Sequence, residues 1–554
     1  MRRLALIVLV AAVLGACGAP PRSTPTPSEA GGETPTAASG LPTTEPTVVV
    51  PPTNTPAEST GGAATPLPVT QPPDQPTAVP ATEVVAVQPT VEPTPAETPT
   101  PAPPTPLPAP SGQGVRALVW NPNVPGLVWY AQDGTVSPAA QAGSTRSLAI
   151  PCLISGGWLA FHLGGDTKGA QVMYDLNSGA TLALGENHGV SCSIHTGIQL
   201  SPDGARLGLL RVGENAPREA FLAGALEVRS FPGGELQNTI RDVTAYALYN
   251  DGALILQFFP NSDGDATAAD LRWWDGGAER VIEQEIKPLE DCVFVHGRVL
   301  RVGDSVFTLV GERCGRRTNW RLIRSAFGGG SSTNLAQGEA GGVYFTTSGT
   351  NDLYLLPGGS ELLIVVPNGL NLEVANLIRV NLSDGSTQPM LSGVVVDRHP
   401  PNALKRFVFS ADGNRLALVT RDGNGAEKLY VYDLTQPANS PVEVAGGNRS
   451  DRIGAVVWSY TGSRLYYVIS GDTNAVSYLD LDSGEKRLVM RGTFTGLAVS
   501  PDGRTLVTAR QNKVADNDIR HNLSLITIEN GSETILLEGA KGEIAPVPLV
   551  MAGQ

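Results

Sequence analysis

Ser201-Pro202-Asp203-Gly204 and Ser500-Pro501-Asp502-Gly503 are one four-residue turn used twice, each time between two apolar runs. Partial copies lie between them, at Asn250-Asp251-Gly252, Ser410-Ala411-Asp412-Gly413 and Ser459-Tyr460-Thr461-Gly462. Pro presets φ at the second turn position, Asp suits the third, and Gly relieves crowding at the fourth. A single such turn predicts a hairpin, whereas a recurring one predicts a repeat architecture.

The flanking segments read as strands. Phe407-Val408-Phe409 leads into one turn and Leu416-Ala417-Leu418-Val419 leaves it. Val456-Val457-Trp458 with Leu465-Tyr466-Tyr467-Val468, and Leu497-Ala498-Val499 with Leu506-Val507, repeat the arrangement. A third strand ending in a polar turn follows in each unit, as in Leu429-Tyr430-Val431-Tyr432-Asp433-Leu434 and Tyr478-Leu479-Asp480-Leu481-Asp482. A short fourth strand, such as Arg487-Leu488-Val489, completes it. Four antiparallel strands per unit of roughly 40–55 residues is the pattern of a β-propeller blade. Turn signals fall near Asn121, Ser155, Ser201, Asn250, Gly303, Leu356, Ser410, Ser459 and Ser500. The first interval is short for a whole blade, so N-terminal strands are expected to complete a blade begun at the other end. The expected fold is an all-β propeller of about eight four-stranded blades, with seven as the alternative.

The phrases Ser-Pro-Asp-Gly-x-x-Leu and Leu-Tyr-Val-Tyr-Asp-Leu resemble the WD40-like, or TolB-like, propeller repeat, over most of the stretch from about Ile154 to Glu538. The resemblance implies a propeller with a binding surface. In that family some members are periplasmic scaffolds and others are regulatory caps on peptidases; no room remains here for a peptidase domain.

The first 113 residues are a different polymer. Arg2 and Arg3 precede an apolar run from Leu4 to Leu14, which reads as a leader with residues 1–16 removed. Leu14-Gly15-Ala16-Cys17 resembles a bacterial lipobox, which implies diacylglycerol on the Cys17 thiol and often a further acyl chain on its amine. Two or three chains anchor firmly where one does not. Residues 17–113 follow as a tether. Of the chain's 45 prolines, 26 lie between Pro20 and Pro110, and no aromatic residue occurs from Ala19 to Val119, so no core can form there. At about 3.1 Å per residue the extended tether spans at most roughly 300 Å. The expected location is extracytoplasmic, membrane-anchored through the N-terminal lipid, with residues 114–554 as the propeller body. A net charge of −14 argues against a nucleic-acid partner.

Four further cysteines, Cys152, Cys192, Cys292 and Cys314, read as disulfides in that compartment. Cys292 and Cys314 lie symmetrically about the proposed hairpin turn at Gly303, which favours their pairing and leaves Cys152 for Cys192.

His188 and His195 flank Cys192, but a Cys-His nucleophile competes with the disulfide reading. No Gly-x-Ser-x-Gly elbow is present, and Gly328-Gly329-Gly330-Ser331-Ser332 lacks the Gly-Lys of a phosphate loop. Asn261, Asp263 and Asp265 resemble the start of a calcium loop, but Ala266 and Arg272 stand where its Gly and bidentate carboxylate belong; a solvated turn is the expected role. Asp175, Asp433, Asp480 and Asp482 end third strands in several units and read as turn formers. Trp273-Trp274 is expected to pack in the core, its two rings on opposite faces of a strand. No cofactor or metal is implied. The expected role is a binding or scaffold module for a protein or cell-envelope component, with a hydrolase or lyase acting on glycan or peptide as the alternative.

Overall fold

The computed structural model describes residues 114–121, 127–140, 152–154, 157–163, 170–185, 198–212, 224–341, 353–368, 374–395, 407–436, 440–515, 518–541 and 545–553. Cys17, the leader, the tether, Cys192, His188 and His195 lie outside them, and of Cys152 only the backbone is described. Among the described residues every extended element is a β-strand, and no α-helix occurs.

The strands fall into nine consecutive modules of four, each an antiparallel meander. Module 1 is assembled from both ends of the chain. Val547–Gly553 is its first strand, and Val115–Trp120, Leu127–Ala131 and Val136–Ala140 are the others. Modules 2 to 9 are continuous, spanning 152–185, 198–243, 245–286, 292–340, 353–395, 407–446, 452–491 and 494–541. Module 1 has no turn between its first and second strands, because its first strand comes from the far end of the sequence; the signal at Asn121 follows its second strand instead. Single bridges, Ala266 to Phe294 and Val394 to Thr420, join modules 4 to 5 and 6 to 7.

Alternation along the strands sends successive side chains to opposite faces, and each face is buried against a neighbour. Trp273 and Trp274 show this. Trp273 packs with Phe294 and Val306 between modules 4 and 5, while Trp274 packs with Leu210 and Val228 between modules 3 and 4. Each of nine apolar clusters lies between successive modules, and one, with Val119, Tyr130, Val507 and Leu525, joins module 9 to module 1. Each fully buried Leu, Val or aromatic side chain contributes roughly 1.5–3 kcal/mol.

The turn that repeats in the sequence repeats in atomic detail. In modules 3, 7 and 9 the amides of Gly204, Gly413 and Gly503 donate to the carbonyls of Ser201, Ser410 and Ser500 at 2.8, 2.9 and 2.9 Å. These glycines have φ of 69°, 71° and 68°, a region that a side chain would strain. The buried serine hydroxyl donates to the turn Asp at 2.5–2.6 Å and accepts the amide five residues on at 2.9 Å. Module 8 keeps the serine and loses the carboxylate: the Ser459 hydroxyl meets the Thr461 hydroxyl at 3.1 Å.

Cys292 and Cys314 are disulfide-bonded, directly opposite each other on the hairpin that turns at Gly303 and Asp304. Nearby, Glu312 is wholly buried and accepts both Nε and Nη2 of Arg321, at 3.0 and 2.6 Å.

Candidate functional site

A cavity of about 500 Å³ opens between modules 7 and 8, at the end of the strands where first-to-second and third-to-fourth turns gather. Module 7 contributes Asp412, Asn414 and Arg415 from its first turn and Asp433 and Thr435 from its third. Module 8 contributes Thr461, Ser463 and Asp482 from the corresponding turns. The lining holds three carboxylates, one guanidinium, an amide and hydroxyls, and no aliphatic or aromatic residue.

Between modules 3 and 4 the equivalent space is crossed by Asn250, whose Oδ1 accepts the Asp203 amide at 2.8 Å. The residue at the same turn position in module 8 is Tyr460. Its ring packs against the core between modules 8 and 9, and its hydroxyl donates to the Met551 carbonyl at 3.3 Å. No side chain from that position then reaches back toward module 7.

The three carboxylates differ in what holds them. Partial burial pushes the Asp412 carboxyl up, but the Ser410 hydroxyl at 2.5 Å and the Asn414 amides outweigh it and leave the group below the usual carboxylate range. Asp433 Oδ1 accepts the amide and hydroxyl of Thr435 at 2.9 and 2.5 Å. Asp482 is 72% exposed and lies 3.9 Å from Arg415 Nη2. Arg415 is pinned across the gap by Nη1 donating to the Gly462 carbonyl at 2.7 Å.

Asp433 and Asp482 do form turns, as their repetition predicts, and they also meet Asp412 in one cavity. Their positions along the chain hide this. The usable signal was the 49-residue offset between Ser410 and Ser459, which sets like turns of neighbouring modules side by side. Asp175 and Asp480 stay turn formers: Asp175 accepts from Asn177 and Ser178, and Asp480 from Ser483 and Arg464. Asn261, Asp263 and Asp265 form a turn between strands. Asn261 Oδ1 accepts the amides of Asp263 and Asp265, and Asp265 pairs with Arg313 at 3.0 Å, so these oxygens are turned to the fold. Among the described residues no group of three His, Cys, Asp or Glu side chains is placed to hold a metal ion.

No protein-family model matches the chain, and no curated protein matches it. Among solved structures it is similar to a prolyl endopeptidase (13% identity, 68% of this chain and 54% of that one, TM-score 0.39). It is similar also to the acylaminoacyl peptidase of Pyrococcus horikoshii (14%, 68% and 57%, TM-score 0.35). A third is an oligogalacturonate lyase in complex with manganese (12%, 72% and 94%, TM-score 0.35). The chain thus spans little more than half the length of the two peptidases. The expectation of a binding or scaffold module is corrected on this finding: the similar structures are peptidases and a lyase, in accord with the hydrolase-or-lyase alternative. TM-scores this low assign no reaction to the chain.

Proposed function

We propose that the body is a hydrolase acting on a glycan bound in the cavity between modules 7 and 8. The observation that carries this reading is the lining: three carboxylates among hydroxyl, amide and guanidinium groups, with no apolar wall for a peptide side chain. Glycoside hydrolysis uses two carboxyl groups, one to give a proton to the leaving oxygen and one to activate water or attack carbon. Asp412, held ionised, is assigned the base. Asp433 is assigned the proton donor: its Oδ1 is occupied by Thr435, leaving Oδ2 for the proton. In the balanced step the glycosidic C–O bond breaks, the leaving oxygen takes the proton from Asp433, and water adds its oxygen to carbon and its proton to Asp412. Hydrolysis is preferred to elimination because a lyase on a uronate must neutralise the substrate's carboxylate, and here three acids face a single Arg415.

Release of reducing ends from neutral and amino-sugar oligosaccharides tests the reading. Asp433→Asn and Asp412→Asn should each lower kcat by about 10²–10⁴. Absence of cleavage across the panel, or full activity in both variants, refutes it.

The nine modules are read as the blades of a closed propeller of the WD40-like class, sealed where the C-terminal strand pairs with the N-terminal ones. Residues 17–113 are read as a tether that holds this body to a membrane, outside the cytoplasm, through lipid on Cys17. Labelled palmitate should enter the protein and Cys17→Ser should abolish this; unchanged incorporation removes the anchor.

A further inference from the structure

We draw no further inference here: the strongest candidate, the exposed apolar side chains Val442, Leu488, Ile535 and Val136 on the outer strands of modules 7, 8, 9 and 1, carries nothing because nothing in the structure shows what covers them.

Discussion

Replacing Ser500 with Ala tests whether the turn hydroxyl, more than the turn's Pro or Gly, fastens each first hairpin. Ser500 is 1% exposed; its Oγ donates to Asp502 at 2.6 Å and accepts the Thr505 amide at 2.9 Å. Ala removes both bonds. A buried amide left without an acceptor costs about 1–3 kcal/mol, and the lost bond to a carboxylate adds about 1 kcal/mol, because water can reach that acid. The variant should therefore lose about 2–4 kcal/mol. Ser459→Ala is the internal comparison. Ser459 Oγ accepts the Arg464 amide at 3.0 Å, but its other partner is the Thr461 hydroxyl at 3.1 Å, so no charge-assisted bond is lost. Its cost should be smaller by about 1 kcal/mol. Urea unfolding, with the midpoint shift read at constant m, gives both values, and amide exchange at Thr505 and Arg464 places the effect. A Ser500→Ala protein within about 0.5 kcal/mol of its parent, or no less stable than Ser459→Ala, would refute the argument.

Arg321→Met should cost about 3–5 kcal/mol by stranding the buried Glu312 carboxylate, and Glu312→Met with Arg321→Leu should recover most of it; equal losses in single and double variants contradict this. Reducing Cys292–Cys314 releases a 22-residue loop and should cost about 3 kcal/mol in calorimetry, leaving the ladder between its two strands in place. Arg464, with Ser483, holds the Asp480 carboxyl down at about 2. A depressed carboxyl stabilises the fold above its unfolded pKa of about 3.9, and that stability is lost as pH falls through about 2. Asp480→Asn should flatten the fall in urea midpoint across that window, and an unchanged slope would exclude the pair as its source.

The fold was legible because its signals are local. Ser-Pro-Asp-Gly names its turn through φ preferences of adjacent residues, and the unbroken apolar run Leu465-Tyr466-Tyr467-Val468 names a strand buried on both sides. Gly303 could be found as the hairpin centre, and with it the Cys292–Cys314 bond, because an antiparallel ladder pairs residues equidistant from the turn. The pairing of Val547–Gly553 with Val115–Trp120 could be anticipated only from the short first interval between turns, because no local preference encodes a partner so far along the chain. The cavity escaped for a related reason. Asp412 and Asp433 each accept the hydrogen bonds of their own turns and Asp482 stands in one, so nothing in their own segments marks a second role.

The composite first module has a consequence for force. Val115 stands opposite Gly553 and Arg116 opposite Ala131, so the strand that continues from residue 114 is paired on both sides. Tension arriving through the preceding residues pulls that strand along its own axis. The hydrogen bonds to both neighbours lie across the pull and must shear together, whereas an edge strand peeled from its end would give way one bond at a time. Were the body tethered through the preceding residues as proposed above, a pull would reach it at a strand paired on both sides and not at a free edge.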